Sequence, residues 1–119
     1  MTLTNAQIFD SLQALTQAKD EKGLLGYAVA VNLRKLGQLP EYVEFARQRD
    51  ELLAAHGTPA GDGKYNLTPQ AAAAFYKALE PLAAVEAEVN VMQVPLSVFC
   101  GGGLTAGQMY DLDWMKKEE

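Results

Sequence analysis

The stretch VEAEVNVMQVPLSVF, residues 85–99, decides between an all-helical chain and a mixed one. Val85, Ala87, Val89 and Val91 alternate with Glu86, Glu88 and Asn90. A period of two with β-branched residues is the pattern of a half-buried strand. Glu86 and Glu88 are then the wet face of that strand rather than a catalytic acid pair. The alternation fails after Asn90, where Met92 and Val94 enter the polar register. Either both faces are covered there or a bulge shifts the phase.

On the N-terminal side the periodicity is helical. Thr4 and Gln7 form a capping box that starts a helix over 5–19, with Ile8, Leu12 and Leu15 inward and Ser11 on the wet side. A second helix spans 24–36, its apolar run over 27–31 marking it as the most buried, and Gly26 permits a close helix crossing. A third spans 40–55, with Tyr42, Phe45, Ala46, Arg49, Leu52 and Leu53 on one face. GTPAGDG, residues 57–63, is turn chemistry, and Tyr65 and Leu67 belong to a short extended piece that can pair with part of 85–94. Thr68 and Pro69 cap a fourth helix that Pro81 ends.

On the C-terminal side, Gly101, Gly102 and Gly103 join the extended run to a last helix. A second capping box, Thr105 with Gln108, starts it; Met109, Leu112 and Met115 line it, and the charged residues after Met115 fray. The fold class is therefore α+β: a mostly helical single domain over 1–119 with a small antiparallel β element. The helical part covers 4–56 and the α+β part 64–115. One strand cannot satisfy its own ladder and a two-stranded sheet leaves an edge, so a homo-oligomer is expected to complete it.

Composition narrows function. Ten basic against fifteen acidic residues give a net charge of −5, which disfavours nucleic acid as a partner. The N-terminus carries no basic-then-apolar leader, and no apolar run reaches the ~20 residues that cross a bilayer, so no membrane is expected. A lone Cys100 excludes an internal disulfide and fits a reducing cytoplasm. With one His and one Cys, His56 and Cys100, neither a metal set nor a nucleophile–base motif stands out. No catalytic residue, metal or cofactor is assigned, and a non-enzymatic role follows.

Only the glycine run has a sharp chemical alternative to a flexible corner. Successive permissive N–H groups can form an anion nest, and the helix start at Thr105 adds donors. Tyr110 and Trp114, four residues apart, can offer a stacking surface. Arg47 and Arg49 are phosphate-type residues on different faces of the third helix. Gly101, Gly102, Gly103, Thr105, Tyr110, Trp114, Arg47 and Arg49 are the candidate site for a small phosphorylated or nucleotide ligand. The run lacks the lysine of a P-loop and matches no dinucleotide fingerprint.

LTNAQIFDSLQAL (3–15), GYAVAVNLRKL (26–36), the YxxxxRxRxxLL pattern within EYVEFARQRDELLAAHG (41–57) and LTAGQMYDLDWM (104–115) together resemble an uncharacterised family of small proteins encoded by tailed phages and prophages. The Cys-Gly-Gly-Gly stretch departs from that family's more polar connection. The resemblance implies a phage protein in the cytoplasm of an infected bacterium and no active site. Its expected role is anti-defence, sequestering a nucleotide-type immune signal or blocking a host defence protein. The alternative is a virion-assembly or tail-module accessory protein acting through protein–protein contacts.

Overall fold

In the computed structural model, which describes residues 1–117, the strand read from residues 85–91 is short. β4 (Glu86–Glu88) pairs antiparallel with β1 (Thr2–Thr4), Leu3 opposite Ala87. Leu3, Ala87 and Val89 are buried and Glu86 and Glu88 face water, so the period-two reading holds there. Val85 is exposed instead of inward because it precedes the ladder. The partner differs from expectation. β3 (Lys64–Asn66) folds back on β2 (Thr58–Gly61) as a hairpin rather than reaching 85–94. Gly61, Asp62 and Gly63 all have positive φ (90°, 52° and 72°), so a local turn captured that strand.

The break in alternation after Asn90 has a physical cause. Asn32 is fully buried on α2 (Gly23–Gly37), and its amide grips one residue from both sides. Its Nδ2 donates to the Met92 carbonyl at 2.8 Å, and the Met92 N–H donates to its Oδ1 at 2.7 Å. A side chain thus replaces a strand neighbour, and both backbone groups of Met92 are satisfied where the chain leaves the ladder. β5 (Val94–Pro95) then runs parallel to β6 (Lys116–Lys117). The residues after Met115 therefore join a strand pair rather than fray, held also by Gln93 Nε2 donating to the Trp114 carbonyl at 3.0 Å. Residues 118–119 of that predicted frayed segment lie outside the described residues.

Both capping boxes form as read, at Thr4 with Gln7 on α1 (Asn5–Gln17) and at Thr105 with Gln108 on α6 (Ala106–Asp111). Residues 96–100 are helical rather than extended, forming α5 (Leu96–Cys100), so the glycines link two helices. A 3₁₀ turn, Asp113–Met115, follows α6. α4 (Pro69–Ala83) is capped by Thr68 and runs past Pro81. In the last turn, that proline removes one N–H bond from a helix already ending.

The main core gathers Ile8 and Leu15 of α1, Leu25, Val29 and Leu36 of α2, and Val94, Phe99, Leu112 and Met115 from the C-terminal third. α2 is not buried all round, because Leu24 and Tyr27 face water. α3 (Pro40–His56) packs Tyr42 against this core, but neither α3 nor α4 adds a fully buried residue to it. Each buries a single residue below a tenth exposed, Phe45 and Phe75. With the β2–β3 hairpin at its tip, this helical pair is an arm. The radius of gyration is 16.0 Å and the extents are 46 × 27 × 21 Å, whereas a compact chain of this length has a radius of about 13.5 Å.

Replacing Asn32 by Ala is expected to lower unfolding free energy by about 2 kcal/mol, since two partly buried backbone groups lose their partners. Asn90→Ala, on the exposed side of the same segment, should stay within about 0.5 kcal/mol. Urea denaturation of the two variants checks the contrast.

Candidate functional site

The glycine loop already holds an anion, and it belongs to the protein. Glu21, in the connection between α1 and α2, points its carboxylate at the loop. The Gly103 N–H donates to Oε1 and Oε2 of Glu21, both at 3.1 Å. A Cβ built on Gly102 would sit 2.4 Å from Leu25 Cδ2 and 2.9 Å from Glu21 Oε1. None of the three loop glycines has positive φ. Their small size, rather than left-handed backbone, is what the position demands.

The start of α6 is closed by its own side chains. The Thr105 N–H donates to Gln108 Oε1 at 2.9 Å and the Gln108 N–H to Thr105 Oγ1 at 3.2 Å. Gln108 Nε2 continues to Gln17 Oε1 at 3.3 Å. Gly26 explains how Glu21 comes to face the loop. A Cβ there would lie 2.1 Å from the Glu21 carbonyl oxygen. The glycine accommodates the α1–α2 connection against the first turns of α2, not a helix crossing.

Tyr110 and Trp114 border a different space. A cleft of about 670 Å³ lies between α1 and α6, lined by Gln7, Asp10, Tyr110, Asp111, Asp113 and Trp114. Tyr110 is 84% exposed. The indole is pinned: Trp114 Nε1 donates to Ser11 Oγ at 2.9 Å, and Ser11 Oγ donates to the Asp111 carbonyl at 3.2 Å. Ser11 is therefore buried, not on the wet side, because Trp114 and α6 cover that face of α1. Burial, and then the neighbouring charge of Asp111, raise the pKa of Asp10 above the usual carboxylate value. Asp10 and Asp111, with Asp113 paired to Lys116 at 2.8 Å, make this cleft unfavourable for a phosphate.

The arginines complete the dispersal. Arg47 stays on the outer face of α3, paired with Glu44 and Glu51, and holds the Glu44 carboxyl below its usual range. Arg49 turns inward, its guanidinium carbon 5.0 Å from the Phe9 ring centre and 6.0 Å from that of Phe75. Of the predicted residues, Gly101, Gly102, Gly103 and Thr105 stay together with Glu21. Tyr110 and Trp114 form a second group with Asp10, and Arg47 and Arg49 stand on separate faces of the arm. His56 ends α3 and the exposed Cys100 ends α5, and no hydrogen bond joins them among the described residues. No group of three or more His, Cys, Asp or Glu among the described residues is arranged to hold a metal.

Sequence reasoning passed over Glu21, Asp10 and Phe9. Glu21 sat in a polar break that reads only as a helix stop, and Asp10 and Phe9 gain their neighbours from α6 and from the arm. No protein family, curated protein or solved structure matches the chain. No helix is long and apolar enough to cross a membrane among the described residues.

Two outcomes follow. Gly26→Ala improves helix propensity by about 1 kcal/mol, yet it is expected to destabilise the protein, because the added carbon meets backbone; the midpoint of thermal unfolding gives the sign. Asp10→Asn should stabilise at neutral pH. A carboxyl whose folded pKa is raised binds its proton more tightly in the native state, so its ionisation opposes folding as pH rises through that value and is relieved below it. Melting the wild type and the variant from pH 4 to 7 should show their difference shrinking toward the acid end.

Proposed function

We propose that this protein is a phage-encoded, non-enzymatic binding protein that works through protein–protein contacts in the host cytoplasm, as a virion-assembly or tail-module accessory protein. The observation that carries the reading is the arm. α3, with 17 residues, is about 25 Å long; it packs Tyr42 on the core at its start and runs on with α4 to the β2–β3 hairpin, each helix burying one residue. Val43 and Tyr76 are 53% and 64% exposed along it, and β2 and β3 have no buried residue. An elongated arm with half-covered apolar side chains gains most by packing against another chain. The second copy expected from the sequence is one such chain, and a virion protein is another.

Nucleotide capture has less support. The loop's anion position is filled by Glu21, the aromatic pair borders carboxylates, and Arg47 is neutralised by its own helix. A nucleotide would have to displace an internal carboxylate that is already in place.

Sedimentation and hydrogen exchange over a concentration series test the reading. Self-association should protect amides of residues 40–83 first, and Tyr76→Lys should weaken it about tenfold, as loss of a buried aromatic anchor does. Cyclic and linear nucleotides should leave the melting temperature unchanged. A saturable rise with nucleotide, by the mass-action stabilisation of a bound ligand, would return the reading to signal capture. A monomer whose arm is no better protected with purified virion proteins present would overturn the contact reading.

A further inference from the structure

α1, α3 and α4 meet at the base of the arm around a cavity of about 210 Å³. Its walls are mainly apolar, from Phe9, Phe45, Phe75, Leu79 and Ala83, with the Arg49 guanidinium set over two of those rings. Among the described residues, Arg49 has no ion pair and donates no hydrogen bond. Arg47, two positions earlier, is saturated by Glu44 and Glu51. Arginine carries five N–H donors in a fixed fork suited to a carboxylate. Here ring faces hold the fork while its donors have no acceptor among the described residues, and a space suited to an apolar body opens beside it. An engineered cavity of about 150 Å³ takes benzene, so the volume admits a phenyl ring or a branched aliphatic chain.

The geometry points to a binding site for a small carboxylate with an aromatic or branched aliphatic body, its ring or chain against Phe9, Phe45 and Phe75 and its acid group on Arg49. The acid-binding chemistry does not rest on the arm's proposed partner, although Tyr76 of the arm also lines the cavity. Asp10 also lines the cavity. Its charge opposes a bare acid, and its raised pKa makes it easier to neutralise than an ordinary carboxyl. An amino group on the ligand would meet Asp10 favourably, so simple acids and amino acids share the same carboxylate chemistry and differ at Asp10.

Titrations of the isotope-labelled protein with 3-phenylpropionate, its uncharged analogue 3-phenylpropanol, and L-phenylalanine test this. 3-Phenylpropionate should shift the Phe9, Phe75 and Arg49 signals saturably at millimolar concentration. The alcohol should bind about tenfold more weakly, the size of a lost charge-assisted hydrogen bond. Arg49→Met should abolish the difference between acid and alcohol. Should that variant misfold, Ala83→Leu, which fills the cavity from α4, should lose both ligands while keeping the native spectrum. Asp10→Asn should tighten 3-phenylpropionate and weaken L-phenylalanine relative to it, each supporting the acid on Arg49. Equal binding of acid and alcohol, no saturable shift, or acid binding unchanged in a folded Ala83→Leu overturns the site.

Discussion

The buried amide of Asn32 holds both backbone groups of Met92, and the C-terminal third of the protein takes its course from that grip. A strand that stopped at Glu88 with nothing beyond it would leave unsatisfied N–H and C=O groups against the core. Asn32 supplies both a donor and an acceptor at that point. The chain then crosses α2, enters the Val94–Pro95 pairing and turns into α5. Phe99, Leu104, Leu112 and Met115 reach the core by that route. A hydrophobic residue at position 32 could fill the space, but it could not satisfy the backbone.

The same economy governs the glycine corner. Glu21 neutralises the local pull of the loop and the helix start for anions, and it does so because Gly26 lets its backbone lie close to α2. What reads as a ligand cradle is an internal joint between the α1–α2 connection and the loop before α6. Its carboxylate and amide are satisfied together, a stable arrangement where no solvent ion needs to be ordered.

The molecule thus divides its surface into two characters. The α1–α6 cleft is acidic and aromatic, whereas the base of the arm is mainly apolar, with Arg49 and Asp10 as its charged groups. The arm itself is amphipathic with little to pack against in the monomer. Such a surface suits contact with other chains.

Residues 1–119 determined by themselves most of the local structure. Both capping boxes, the Thr68–Pro69 start of α4, the glycine turn at 61–63 and the Glu86–Glu88 alternation are set by neighbours within a few positions, where propensity and hydrogen-bond reach act. The tertiary structure alone decided which strand pairs with Glu86–Glu88, where Ser11 faces, and what fills the glycine loop. Those outcomes join residues 82 to 103 positions apart in the chain. Leu3 and Ala87 carry no local sign of each other, and neither do Glu21 and Gly103. Arg47 and Arg49 look alike in sequence. One is neutralised by its own helix and the other is turned onto Phe9 and Phe75, because only packing brings α1 and α4 to one side of α3.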